Sequence, residues 1–465
     1  MSIAEATPDL EIEAADRNDR AFLGHPKGLG YLAFVEGCER FSYYSMQTLL
    51  TLYMVNYLLL PGRLENVVGL EWLRVNHYGG LSGQPLSSAI FGDYTSLVYL
   101  TPILGGIIAD RFIGRRAALI AGGAIMALGH FLMAFEHMFV FALLSLIVGV
   151  GLFKGNIASQ VGALYKENDL RRAMAFQIFY IAINVSVIVA PLISGTLGEK
   201  IGWHWGFGCA GVVMVAGLLL FLAGRRYLPD NRRRAKDEPR EKMGPGDWPR
   251  VFALVLLVPA MAIALLTNQQ IFNAYLVWAD QQFQLTFFGT TLPTSWMITI
   301  DATLSFTMLV AVAAFWKWRS VRTGSEPDEL GKMIIGSFFT IAGGLCLYIA
   351  ALTQGSAKIG LFWPVMFHLF NSIGFAHILP VSLALFSKIA PRAINATVIG
   401  IYYLAFFMAN KIVGYVGEWF SSMPTTTFWL IHVASAGVGL AAFIVFKMTV
   451  SRRMTEAAAK DLAPA

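Results

Sequence analysis

Glu36-Gly37-Cys38-Glu39-Arg40-Phe41-Ser42-Tyr43-Tyr44 places two carboxylates, a guanidinium and two phenols inside an apolar segment running from about Gly30 to Leu60. Glu36, Glu39, Arg40 and Tyr43 are three, four or seven residues apart, so on a helix they share one face. A charge at the centre of a bilayer costs roughly 2.5 to 3.5 kcal/mol on insertion scales, so this face must look into a bundle or a water-filled cavity. A structural ion pair would account for Arg40 and one glutamate. It leaves the second acid and the neighbouring tyrosines without a purpose, which a transport site supplies.

Composition carries the membrane reading through the whole chain. Of 465 residues, 56% are hydrophobic and 14% charged, against about 25% charged in an ordinary soluble domain. A spanning helix needs about 20 apolar residues, and about twelve such stretches are legible, near 30–60, 86–109, 116–135, 138–164, 173–196, 207–224, 251–279, 295–318, 333–353, 360–387, 396–418 and 427–449. Basic residues crowd alternate loops: Arg111 to Arg116, Lys166 to Arg172, Arg225 to Arg250, Lys317 to Lys332, Lys388 to Arg392, and Arg452 with Arg453. The loops between them are poor in lysine and arginine, which predicts that both termini face the cytoplasm. The net charge of +6 follows from this topology and argues for no nucleic-acid partner.

Charge also sets the domain limits. Residues 1–24 are expected to be a disordered cytoplasmic tail, without the pattern of a cleavable signal. The run Asp230-Asn231-Arg232-Arg233-Arg234-Ala235-Lys236-Asp237-Glu238 is too charged to insert and too short to fold alone. It makes 227–249 a cytoplasmic linker between six-helix bundles at 25–226 and 250–450, with 451–465 a second cytoplasmic tail. Cys38, Cys209 and Cys346 each fall within a span and lack metal-ligand or disulfide spacing, so they read as packing residues. No metal site, no cofactor and no enzymatic motif is expected.

Four motifs together resemble the proton-dependent oligopeptide transporters, the POT or peptide transporter family of the major facilitator superfamily. Glu36 to Tyr44 resembles the family's E-x-x-E-R-F-x-Y-Y signature. Phe91-Gly92-Asp93-Tyr94 through Pro102, followed by Gly105 to Gly114, is similar to its second helix and the loop beyond it. Phe179-Tyr180-Ile181-Ala182-Ile183-Asn184 resembles F-Y-x-x-I-N, and Gly198 to Gly208 resembles the turn between the fifth and sixth helices. The resemblance implies an all-α integral membrane protein of the major facilitator fold, with two six-helix bundles that rock about a central cavity.

Lys154, among the small residues Gly149, Gly151 and Gly155, is a buried ammonium in need of an anion, for which Glu36 or Glu39 is the expected partner; snorkelling to an interface is the structural alternative. By resemblance, Arg40 and Lys154 attract a substrate carboxylate, while Tyr43, Tyr44, Tyr94 and Asn184 hold the peptide backbone; interhelical hydrogen bonding is the structural alternative for these tyrosines and the asparagine. Asp110, Arg111, Arg115 and Arg116 read as a gating loop or an orientation element, not as a binding site.

Three departures from the family bear on coupling. Gln269 stands where the family carries its seventh-helix acid, and Phe375 where it carries the glutamate that holds a peptide's amino terminus. In the other direction, Asp301 stands where the family has an asparagine, so it is expected to receive an amine or a proton; Asp93 is a weaker candidate of the same kind. His368 lies seven residues before Phe375 on the same helix face, suited to a proton relay or to bonding a neighbouring helix. His377 falls off that face.

The function expected from these residues is proton-coupled uptake of small peptides or peptide-like molecules by alternating access. Glu36, Glu39, Arg40, Lys154 and Asp301 would carry the switch, with protons as the only coupling ion. Two alternatives keep part of the evidence: a carrier of organic anions without a free amine, since Phe375 has no charge, and a membrane sensor that does not transport. The expected partners are a small-molecule or peptide substrate and the lipid bilayer, with a monomer in a bacterial inner membrane.

Overall fold

The computed structural model describes residues 19–165, 169, 171–228, 243–244, 247–391 and 394–451. The expected amino-terminal tail, the charged linker and the carboxy-terminal tail lie largely outside these residues.

Everything described is helical apart from connecting turns and one small hairpin. Ten helices are long and apolar enough to cross a membrane by length and composition. Two more complete the expected twelve. One is Lys27–Tyr53, continued by the wider turn Met54–Leu58, whose hydropathy is broken by Glu36, Glu39 and Arg40. The other is Arg115–Leu132, which opens on two arginines. The first of these helices has 27 residues. With a rise of about 1.5 Å per residue it reaches about 40 Å, more than the roughly 30 Å of a hydrocarbon layer.

Helices on the same side of the linker pack together. Arg115–Leu132 lies against Phe139–Ala163, and the first helix lies against Arg171–Ala190 and Trp203–Gly224. In the second half, Glu329–Thr353 packs between Phe362–Ile389 and Thr425–Phe446. Gly149 and Gly151 let the fourth span close on its neighbours: a Cβ on Gly149 would meet the Met126 nitrogen at 2.8 Å, and one on Gly151 would meet the Thr101 Cβ at 2.7 Å. Without a hydrophobic force between helices in lipid, such close approach is a main source of their association. Cys38 is a packing residue as well, since a Cβ on Gly217 would fall 2.7 Å from its own.

Across the division, Gly83–Ile108 packs against Asn395–Glu418, and Arg171–Ala190 meets Trp296–Thr323. Among the described residues, polar links between the halves gather at the end away from Lys27 and Phe446. Thr51 Oγ1 donates to the Phe272 carbonyl at 3.1 Å and Asn56 Nδ2 to Asp280 at 2.9 Å. Gln84 Nε2 donates to the Gly417 carbonyl at 2.9 Å, and Trp296 Nε1 to Thr196 Oγ1 at 2.9 Å. This end of the molecule is therefore sealed.

The seventh span differs from the single uninterrupted helix the sequence predicts. Asp247–Ala264 gives way to Leu266–Gln269, then to a tight turn at Gln270–Phe272, and resumes as Ala274–Gln282. Asn273 breaks it, with φ −120° and ψ −110°. Non-helical backbone at membrane depth survives only when buried in protein. Asn273 meets that condition: it is fully buried, accepts from Ser88 Oγ at 3.0 Å, and donates to the Val413 carbonyl at 3.4 Å.

The root of the eighth span is capped from the other half. Glu199 accepts from the backbone N–H of Thr294 at 2.7 Å and of Ser295 at 2.8 Å. These are donors that a helix start otherwise leaves orphaned. Glu199→Ala is expected to weaken the seal by about 1–3 kcal/mol, the cost of stranding buried donors next to a lost charged acceptor. Faster labelling of a cysteine placed at the buried Thr51 in the variant than in the parent would show it; equal labelling would contradict it.

Candidate functional site

Within the first helix the Arg40 side chain folds back on both acids, with Nε 2.5 Å from Glu39 Oε2 and 3.1 Å from Glu36 Oε1. The three side chains are nearly dry, at 6%, 0% and 6% exposure for Arg40, Glu39 and Glu36. Each keeps one buried polar atom without a partner: Arg40 Nη2, Glu39 Oε1 and Glu36 Oε2. A purely structural pair would use these atoms, since a stranded charge is expensive in a dry interior. Their orientation is that of groups held ready for something charged.

Lys154 does not take the expected carboxylate. Among the described residues no acid pairs with its ammonium; Nζ sits 4.4 Å from the Tyr99 ring centre and 5.4 Å from that of Tyr43. The reason is local. Arg40 occupies the same helix as both glutamates, one and four residues away, and captures them without crossing between helices. The ammonium from the fourth span is left on aromatic faces, which attract cations through their quadrupole. Arg40 lies over the same Tyr43 ring at 5.1 Å, so one phenol separates the two cations. Two positive and two negative side chains therefore gather around Tyr43.

The tyrosines come together around this cluster only in part. Tyr43 and Tyr44 meet edge to face at 5.1 Å, and Tyr44 reaches across to Phe272 of the broken seventh span at 6.4 Å. Tyr94 is 3% exposed. Tyr99, which the motifs do not single out, is the better-placed ring, because it carries Lys154 and stacks on Phe406 of the other half at 4.9 Å. Asn184 is half-buried and donates to the Tyr180 carbonyl of its own helix at 2.8 Å, leaving its carbonyl oxygen for another donor.

The second half holds a chain of bonds that spacing alone could not reveal. Asp301 Oδ1 is 2.9 Å from His368 Nδ1, and His368 Nε2 is 2.7 Å from Tyr275 Oη. Asp301 is therefore engaged rather than open on both oxygens. Tyr275, just past the helix break, is the residue the sequence reading missed. Gln269 is fixed within its own half by Asn268 at 3.0 Å and Asn410 at 3.5 Å. Phe375 is half-buried and puts no charge in the site. His377 has a structural role: its Nε2 accepts from Trp316 Nε1 at 3.0 Å.

Asp93 is also bound. It pairs with Lys411 of the other half and with His77 Nε2 at 2.8 Å, and accepts from Tyr78 Oη at 3.3 Å. Burial, reinforced by the Asp93 charge, pushes the Tyr78 phenol above its ordinary range, so it stays a donor. Asp93 thus belongs to the seal and not to a place for an amine. In the loop expected to gate, Arg115 Nε donates to Asp110 at 3.1 Å, and Arg116 donates to the Leu228 carbonyl at the end of the sixth span. Both contacts lie within the first half. Arg111 is exposed alongside them.

Comparison with known proteins bears on the family and the fold. The sequence model of the POT family matches residues 116–244. The chain is 28% identical over 473 residues to the peptide transporter YePEPT of Yersinia enterocolitica, covering 86% of this chain and 88% of that one. It is 26% identical over 508 residues to a di-/tripeptide transporter of Lactococcus lactis subsp. cremoris, covering 94% and 98%. Among solved structures, a peptide transporter POT in complex with sulfate superposes with a TM-score of 0.82 at 24% identity, covering 96% of this chain and 99% of that one. A variant of a peptide transporter POT in complex with alafosfalin superposes at 0.80 with 25% identity, covering 97% and 99%.

Proposed function

We propose, from the premise that this chain belongs to the POT family, that it is a secondary active transporter taking up di- and tripeptides or peptide-like molecules together with protons. The observation that carries this reading is the buried set of Glu36, Glu39 and Arg40, each with an unpartnered polar atom, beside an ammonium that pairs with no carboxylate among the described residues. A peptide's carboxy terminus is a suitable anion for Lys154 and Arg40, and Tyr43, Tyr44, Tyr99 and Asn184 offer hydroxyls and an amide to its backbone. A proton taken by Glu36 or Glu39 loosens its hold on Arg40, which frees the guanidinium for cargo. That exchange is a two-state element biased by both ligands.

The chain is a multi-pass membrane protein. Reading the basic loops as cytoplasmic places both termini inside and the sealed end outside. The described conformation then faces the cytoplasm, and residues 25–226 and 250–450 are the bundles that rock. We assign the protein to a bacterial inner membrane, as a monomer, with no cofactor and no catalytic step. The Asp110 to Arg116 loop fits an inner gate, since it lies at the end opposite the seal.

Ligand that binds the folded state raises its apparent stability by mass action. Dialanine is expected to raise the unfolding temperature of the purified protein, and N-acetylated dialanine to do so less. Lys154→Ala should remove the dialanine shift while leaving the ligand-free unfolding temperature near that of the parent, with a loss of affinity of about 10- to 100-fold from one charged hydrogen bond. An unchanged shift in Lys154→Ala would overturn the assignment of the anion site.

A further inference from the structure

Three features of the second half meet at one place. Asp301 keeps contact with the surroundings, its side chain 12% exposed, whereas the His368 side chain is sealed at 0%. Tyr275 is equally buried, boxed by Phe367 at 5.4 Å, Phe283 at 5.6 Å and Trp429 at 6.4 Å. A proton arriving at the Asp301 carboxylate therefore acts on the bonds to His368 and Tyr275. The far end of that path sits two residues beyond Asn273, where the seventh span breaks and where Ser88 and Thr51 of the first half make two of the bonds that seal the molecule.

We infer that Asp301, His368 and Tyr275 act as one proton-holding chain that couples protonation to the seal between the bundles. The inference rests on the proposed peptide and proton symport and assigns where one coupling proton resides. The sequence prompts the question, because Gln269 and Phe375 cannot ionise. The geometry supplies the answer.

Hydrogen-bond direction gives the mechanism. With His368 neutral, Nδ1–H donates to Asp301 and the Tyr275 hydroxyl donates to Nε2. With a proton held on Asp301, the carboxyl O–H donates to Nδ1 and the ring's other tautomer turns Nε2–H to the Tyr275 oxygen. The phenol's own hydrogen must then turn away into an aromatic box that offers it no strong acceptor. A buried donor without a partner destabilises the local packing, and the segment disturbed is the one holding Asn273 and Phe272 in the seal. Proton loss restores the bond and the seal with it.

Other titratable groups on the surrounding elements are accounted for. Glu199 and Asp280 are engaged at the root of the eighth span, by Thr294 and Ser295 and by the Thr294 hydroxyl at 2.7 Å. His432 packs against Trp429 and donates Nδ1–H to the Phe428 carbonyl.

The test uses the full protein in liposomes with labelled dialanine. Counterflow, which needs cargo exchange but no net proton movement, should stay close to the parent in Asp301→Asn and His368→Gln, while accumulation driven by a proton gradient should fall by about tenfold or more. The pH profile of dialanine affinity should flatten in His368→Gln. Tyr275→Phe keeps the acid and the imidazole but loses the transmitting hydroxyl, so its accumulation should lie between. Should His368→Gln fail to fold by gel filtration, Asp301→Asn decides. Unchanged accumulation and pH profile in both variants overturn the inference, as does an equal loss of counterflow and accumulation in both, which marks a structural role. Failure of the parent to accumulate dialanine overturns instead the symport reading beneath it.

Discussion

Arg40→Met is expected to abolish uptake and to destabilise the protein, by the larger margin of any single substitution in the site. Arg40 is the cation paired with two buried acids, and its Nε serves both. Its removal leaves Glu36 and Glu39 as like charges in a dry interior, and breaking a buried pair in this way costs about 3–5 kcal/mol. The triple variant Arg40→Met, Glu36→Gln, Glu39→Gln removes the stranded charges along with the cation. It should recover most of the unfolding temperature and none of the transport. Recovery of both would mean that the cluster is a structural ion pair with no part in transport. Failure to recover stability would mean that Arg40 matters by its bulk.

Gly414→Leu is expected to give the second large effect by a steric route. The second and eleventh spans cross at Gly92 and Gly414, so closely that a Cβ on Gly414 would meet the Gly92 Cα at 2.8 Å and the Ser88 carbonyl oxygen at 3.0 Å. These are backbone atoms and cannot step aside. Overpacking of this kind costs about 1–3 kcal/mol, enough to move a two-state equilibrium about 5- to 160-fold away from the sealed form. Transport should fall accordingly. Access from the sealed end should rise, read by labelling of a cysteine at the buried Thr51. Normal transport in Gly414→Leu would show that the crossing opens on another axis.

What the sequence disclosed and what it withheld divide along a physical line. Spans were legible because lipid tolerates only long apolar helices, and the cluster at Glu36 to Tyr44 was legible because ionisable groups there are costly enough to need a purpose. Gly149 and Gly151 could be read as close-approach residues, and His377 as structural. Partnerships between helices were not legible. Nothing in spacing says that Arg40 will take both glutamates and leave Lys154 on Tyr99, since the choice depends on distances between helices in one conformation. Tyr275 escaped notice because its partner is 93 residues away and its helix is restarted by Asn273. Asp93 looked like a free acid until Lys411, 318 residues on, was seen beside it. The linker at 227–249 could be read from its charges, but most of it lies outside the described residues.

Accumulation of labelled dialanine in liposomes of the purified protein, under an imposed proton gradient and with a protonophore as control, addresses the central claim most directly. The account predicts uptake beyond the external concentration that collapses with the protonophore and is absent in Glu39→Gln. Equilibration to the external concentration with or without the gradient, or full accumulation by Glu39→Gln, would contradict it.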